Sequence, residues 1–309
     1  MRRVFGLILI GLGTALLVLA PMVKYYAVPR LTVAPLDLDV KDTSNSSGTA
    51  TTVADLATGV EKQDVPLVAV RRTTADVAAS QQAAQQTGTN SGVYDSLQVV
   101  SLASETTGKP YLPATVERYA FDRTTSVMQA VAGANVGGVP ITDAMVQGGV
   151  IMPLKMPFNT EKKTYSVFDS TLMKGVDTTF VGEETVQGLS TYKFTSTVPA
   201  TKSGMQGTAE VWYQDDQTMW VEPSTGQIVN GTNKVKQWLK NADGTDGLVV
   251  IDGTLGFTDE EVASSVDSAK TNSSKLNLVS NVLPVVSLVL GAVALLGGIL
   301  LLRRRDGAA

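Results

Sequence analysis

Two residue types are missing from this 309-residue chain: it has no cysteine and no histidine. Without cysteine there is no disulfide, no thiol nucleophile and no thiolate metal ligand. Without histidine, Ser-His-Asp and Cys-His catalysis and imidazole metal sites are excluded. The chemistry left open runs through carboxylates, Lys, Tyr or a Ser/Lys pair. The chain also lacks G-x-S-x-G, S-x-x-K with its partner motifs, a phosphate-binding P-loop, and G-x-G-x-x-G at a strand-to-helix turn. No catalytic, cofactor-binding or metal-binding residues are therefore expected, and the chain reads as a non-enzyme.

Long apolar runs are scarce and lie only at the two ends. Residues 4–23 carry no charge and follow Arg2 and Arg3; residues 282–302 carry none and precede Arg303, Arg304 and Arg305. About 20 apolar residues in a helix span a hydrocarbon core of about 30 Å. Basic clusters on the outer side of both runs predict that both termini stay cytoplasmic, with everything between them across the membrane. The first run exceeds the roughly 7–15 apolar residues of a cleaved signal, and no small-x-small cleavage site follows it. Pro21, Tyr25 and Tyr26 instead fit an interfacial exit from an uncleaved anchor.

Positive charge is scarce between the ends. Five of the 25 basic residues and one of the 29 acidic ones lie in the terminal flanks, which leaves the intervening chain at −8. An acidic ectodomain argues against nucleic acid, or a broad anionic lipid face, as a partner. Its size removes any need for disulfides.

The ectodomain reads as β-rich. Tyr192, Phe194 and Val198 alternate with Lys193, Thr195 and Thr197, and Ala209, Val211 and Tyr213 share one face. Pro223-Ser224-Thr225-Gly226 and residues 241–247 are hairpin turns, and strands recurring about every 10 residues over 164–257 predict an antiparallel meander. Residues 97–103 and 116–122 are further strands, and residues 31–36 are expected as a strand. Residues 41–52, rich in Ser, Thr, Asn and Gly, are expected as a loop or hairpin tip. The Ala/Gln-rich stretch 78–86 predicts a short helix. Thr258-Asp259-Glu260-Glu261 is a capping box that opens a helix leading into the second span. The expected fold is an α+β membrane protein: a β-rich antiparallel-sheet ectodomain between N-terminal and C-terminal transmembrane helices. Its parts are an N-terminal span with its Arg flank (1–23), the ectodomain (24–257), a juxtamembrane helix (258–281), the second span (282–302) and a cytoplasmic tail (303–309).

Three features invite a functional reading. Small residues recur at seam spacing in both spans: Gly6, Gly13 and Ala20, then Ser287, Gly291, Ala294 and Gly298. They suit close helix packing, although Gly and Ala are common in membrane helices anyway. Residues 126–154 carry one charge, Asp143, and are rich in Val, Met, Ile and Gly. Val127, Met128, Val131, Val136, Ile141, Met145, Val150 and Met152 could wall an apolar or lipid ligand site. A buried core crossover accounts for the same composition without a ligand. Asp37, Asp39, Asp243 and Asp246 fail the spacing of a calcium loop and are better explained as turn residues. Tyr119, Phe121, Trp212, Trp220 and Trp238 are expected in the core or on sheet faces.

Several segments in order carry a family resemblance. They are Met1-Arg2-Arg3, Pro29-Arg30-Leu31, Glu117-Arg118-Tyr119-Ala120-Phe121-Asp122-Arg123 and Met152-Pro153-Leu154-Lys155-Met156-Pro157-Phe158. Thr164-Tyr165-Ser166-Val167-Phe168-Asp169, Gly188-Leu189-Ser190-Thr191-Tyr192-Lys193-Phe194 and Val221-Glu222-Pro223-Ser224-Thr225-Gly226 complete the set. Together they resemble the actinobacterial porin PorA family over nearly the whole chain. The resemblance implies a channel-forming cell-envelope protein and supplies no catalytic residues. Three readings stand: a two-pass plasma-membrane protein whose ectodomain binds or passes an apolar envelope component, an oligomeric channel, or a scaffold without ligand. Membrane lipids and further copies of the chain are the partners these readings require.

Overall fold

A computed structural model describes residues 2–38, 43–56, 58–105 and 109–303. The chain forms two compact units: one contains residues up to 33 and from 270 on, the other residues 34–269.

The first unit is helical. Helix α1 (Arg2–Met22) continues through a π turn (Val23–Ala27) into α2 (Val28–Leu31). At the other end of the chain, α5 (Asp259–Asn277) leads through a second π turn (Leu278–Val282) into α6 (Leu283–Arg303). Each π turn ends two residues before a proline, Pro29 or Pro284, and the intervening Val28 and Leu283 N–H groups donate to the Val23 and Leu278 carbonyls. Proline lacks the N–H that a regular turn needs and its ring crowds the preceding turn, so the wider turn relieves both.

The second unit is one antiparallel sheet. In chain order its strands and helices are β1 (Thr43–Asp55), β2 (Val60–Ala75), α3 (Val77–Thr87), β3 (Ser91–Leu102) and β4 (Thr115–Asp122). Two short strands follow, β5 (Asn135–Val136) and β6 (Val139–Pro140), then α4 (Asp143–Val146) and β7 (Tyr165–Asp169). A meander of long strands ends the unit: β8 (Lys174–Val186), β9 (Leu189–Gln206), β10 (Ala209–Glu222), β11 (Gln227–Lys240) and β12 (Asp246–Phe257). The sheet order is β6-β5-β4-β3-β2-β1-β12-β11-β10-β9-β8-β7, so β1 and β12 join the two halves.

The meander and both hairpin turns follow the sequence expectation, and α3 covers residues 78–86. Asp76 caps α3 by accepting the Ala79 N–H at 2.9 Å, and Gly88 ends it in the left-handed conformation. Two expectations fail. Residues 43–52 lie in a central strand, because small side chains let β12 approach closely: a Cβ on Gly48 would run into the Thr254 carbonyl. Lys41 and Asp42 fall outside the described residues. Residues 31–36 are not a strand. Leu31 ends α2, and Ala34 instead exchanges bonds with Arg123, its N–H donating to the Arg123 carbonyl (2.8 Å) and its carbonyl accepting from Arg123 Nε (2.6 Å).

The capping box is half made. Thr258 Oγ1 accepts the Glu261 N–H at 3.2 Å, but Glu261 Oε2 reaches to β1 and accepts the Asn45 N–H at 3.0 Å. The first half of α5 thus docks on the sheet, where Val262, Val266 and Ala269 pack with Val229, Trp220 and Phe257.

Candidate functional site

The apolar segment 126–154 joins the two ends of the sheet. Against β4, the Asp122 N–H donates to the Val127 carbonyl and the Gln129 N–H to the Ala120 carbonyl, both at 2.8 Å. The Met128 N–H donates to Val150 (2.8 Å) and the Met152 N–H to Ser126 (2.9 Å). Against β7, the Ile151 N–H donates to Ser166 (2.8 Å) and the Phe168 N–H to Ile151 (2.9 Å). The ladder therefore runs from β4 through residues 126–129 and 150–152 to β7. An open edge of unpaired N–H and C=O groups invites pairing with another chain, and this continuation removes much of it. The cost of sealing is a run of short extended pieces separated by turns, which accounts for the Gly and Pro content of the segment.

The eight residues expected to wall a ligand divide between core and rim. Met128, Ile141, Val150 and Met152 are buried in a core shared with Tyr94, Tyr119, Phe121 and Phe168. Val131, Val136 and Met145 are half-buried against it. Val127 packs instead with Ile151, Val167, Phe194 and Met219. Two hollows adjoin the segment. A cavity of about 120 Å³ lies between α3 and the sheet, lined by Ala79, Ala83, Val93, Ala120, Val131 and Ala134 with Gln82, Gln86 and Arg118. An open cleft of about 520 Å³ has Val127 and Ile151 on its floor, beside Phe158, Tyr165, Asn159 and Lys163.

Buried acids lie near the buried tyrosines Tyr119 and Tyr213. Glu117 is buried, 3.5 Å from Arg71 Nη1. Tyr119 Oη and Ser96 Oγ are buried without a hydrogen-bond partner, and burial pushes the Tyr119 phenol far above its ordinary range. Burial, together with the charge of Asp169, pushes Asp215 up to about 7. Lys155 turns its ammonium to the Met156 carbonyl (2.8 Å) and the Phe158 ring (3.7 Å); burial brings it down to about 7 against the opposing pull of Glu222. Alternation already places Glu117 in phase with Tyr119 and Phe121, and Asp215 in phase with Tyr213. That is the signal by which these acids could have been found from the sequence.

Ion pairs lie at fully or partly exposed positions on the strands and the loop before β7: Lys193 pairs with Glu184 (2.7 Å), Lys202 with Glu210 (2.8 Å), Lys162 with Glu183 (2.5 Å) and Lys236 with Asp252 (3.8 Å). Trp212 and Trp238 are cross-strand partners with ring centroids 6.2 Å apart, and Lys240 lies 3.9 Å above the Trp212 ring. Among the described residues no group of three acidic, cysteine or histidine side chains could hold a metal ion.

In the helical unit, α1 buries Gly6, Gly13 and Ala20, and α6 buries Ser287, Gly291 and Gly298; Ala294 is half-buried. Both helices expose large apolar side chains, including Phe5, Ile8, Leu12, Val293, Leu296 and Leu300. Arg2, Arg3 and Arg303 are exposed, whereas Arg304 and Arg305 fall outside the described residues, as does Asp39. The helical stretches 2–31 and 259–303 are each long and apolar enough to cross a membrane.

One twelve-stranded antiparallel sheet, set in the chain between two apolar end helices, defines an α+β protein with two candidate membrane spans. The chain belongs to the Porin PorA family, whose model matches residues 5–300. It is similar to a porin PorA of Corynebacterium amycolatum, 25% identical over an alignment of 303 residues, covering 76% of this chain and 78% of that protein. A porin PorA of Corynebacterium resistens is 23% identical over an alignment of 410 residues, covering 100% of this chain and 98% of that protein.

Proposed function

We propose that the chain is a two-pass, non-enzymatic protein of the plasma membrane, with both termini cytoplasmic and the β unit on the extracytoplasmic side. There the β unit binds or passes an apolar or lipid component of the envelope. The observation that carries this reading is the contrast between surfaces. Helices α1 and α6 turn their glycines toward each other and expose apolar side chains, as lipid-facing helices do. The strands expose ion pairs, whereas a membrane-spanning barrel needs an outward apolar band. Arg30 stacks 3.6 Å over the Tyr26 ring just past α1, a pairing suited to the headgroup level.

The ligand reading rests on the hollows beside residues 126–154. Full-length protein purified in detergent is examined by native mass spectrometry with extraction of bound lipid. The reading expects an apolar species that is lost in Val131→Phe, which fills the smaller cavity, without loss of fold. No bound species in the native chain, or the same species in both, would leave a scaffold in its place.

The names of the relatives favour a second reading, a channel. Two helices cannot enclose a pore, so several copies would have to assemble. Planar-bilayer conductance of the purified protein tests this: stepwise conductance supports it, and a silent bilayer at high protein load opposes it.

A further inference from the structure

Tyr213 and Asp215 stand two residues apart on β10, both buried, and alternate with the exposed Gln214 and Asp216. The Tyr213 O–H donates to Asp169 Oδ2 at 3.1 Å. Asp169 ends β7, next to Phe168, whose N–H makes the seam bond to Ile151. Strands β8 and β9 lie between β7 and β10 in the sheet, so the Tyr213–Asp169 bond crosses the sheet face as a clasp.

The two carboxyls are unequally supplied. Asp169 Oδ1 also accepts the Thr171 and Leu172 N–H groups, both at 2.8 Å. Asp215 is 5% exposed, and its Oδ1 has no partner. The charged groups acting here are Asp169 and Lys174 from the β7–β8 hairpin and Asp216 from β10; the Tyr213 phenol, which burial keeps neutral, and Asn233 of β11 are the uncharged partners. Lys174 acts on Asp169, while Asp216 adds like charge to Asp215. A buried carboxylate oxygen with no donor, beside a second carboxylate, is unfavourable as an anion on both counts.

We propose that Asp215 is a proton-binding site that governs the seam of the sheet. With Asp215 protonated, the Tyr213–Asp169 clasp holds β7 against Ile151. With both carboxyls ionised, the two anions repel each other and the seam loosens.

Burial raises Asp169 as well, and Asp215 sits at about 7, so the change falls near neutral pH. The folded state keeps a proton that the unfolded chain releases at lower pH. The stabilisation is complete below the ordinary carboxylate range and is lost as pH rises through about 7. The β unit thereby senses the pH of the compartment it faces.

The test is amide hydrogen exchange on the full-length chain in detergent, followed by mass spectrometry from about pH 5 to 9 and corrected for the intrinsic rate. Peptides containing Ile151 and Phe168 should lose protection as pH rises, by up to about tenfold per pH unit for a single proton. Peptides from β12 should not. Asp215→Asn, which imitates the protonated acid, should keep the seam protected throughout. Asp169→Asn removes the neighbouring charge and should lower the midpoint, which keeps the test decisive if Asp215→Asn fails to fold. Wild-type protection at Ile151 and Phe168 that ignores pH would overturn the proposal. So would an Asp215→Asn profile that follows the wild type, or an unmoved midpoint in Asp169→Asn.

Discussion

Gly13 of α1 and Gly291 of α6 meet backbone to backbone. A Cβ on Gly13 would sit 2.7 Å from the Gly291 carbonyl oxygen, and one on Gly291 would sit 2.9 Å from that of Gly13. Gly6 and Gly298 repeat the contact nearer the ends, where a Cβ on Gly298 would lie 2.7 Å from the Gly6 oxygen. In lipid no hydrophobic force joins two helices, so close packing of this kind is what holds them together.

Gly13→Val should therefore separate the helices, at a cost of about 1–3 kcal/mol from overpacking. Gly11, whose added Cβ would meet nothing within 4 Å, provides the control, and Gly11→Ala should be neutral. Fluorescence energy transfer between dyes on the two helices in micelles measures the separation. Equal transfer in both variants would refute a seam at Gly13.

The sealing segment should behave as core where it is packed and as surface where it is not. Met152 is 1% exposed beside Phe121 and Phe168, while Val139 is 52% exposed. Met152→Ala should cost about 2–5 kcal/mol and Val139→Ala close to nothing. Thermal melting of the full chain in one detergent compares them, and a mild Met152→Ala would mean the segment is loosely held.

The turn between β10 and β11 is fixed on both sides. Glu222 accepts the Ser224 N–H (3.0 Å), the Thr225 N–H (2.8 Å) and the Thr225 hydroxyl (2.6 Å). Gly226 has φ +72, and an added Cβ would overlap the Met156 carbonyl oxygen, which lies one residue past Lys155. Gly226→Ala thus combines backbone strain with a clash and should destabilise by more than about 1 kcal/mol. Glu222→Ala should cost about 1–3 kcal/mol by leaving turn donors unpaired. Urea unfolding followed by tryptophan fluorescence reads both, and two unchanged midpoints would contradict this account of the turn.

Much of the architecture is legible in the sequence because its signals are local. The end helices follow from two long uncharged runs, the meander from alternation and turn residues, and α3 from composition. The failures are tertiary. Residues 43–52 look like loop because Ser, Thr and Gly dominate, yet their smallness is what a central strand beside β12 requires. Residues 31–36 form a short apolar run that resembles a strand, yet Arg123 takes the backbone bonds of Ala34. The sealing ladder through Met128 and Ile151 could not be read, since each piece is about three residues long and its partners are distant in sequence. Glu117 and Asp215 lie in phase with aromatics, a signal the sequence reading passed over, and only the packing shows that they are enclosed.

The proposed sidedness, with the β unit outside and both ends inside, is directly measurable because the chain has no native cysteine. Single cysteines are placed at Ala242, in the exposed turn between β11 and β12, and at Ala309, the last residue. Intact cells are then treated with a membrane-impermeant maleimide. Ala242→Cys should be labelled in intact cells, and Ala309→Cys only after the membrane is opened. Labelling of Ala309→Cys in intact cells, with Ala242→Cys protected, would contradict it.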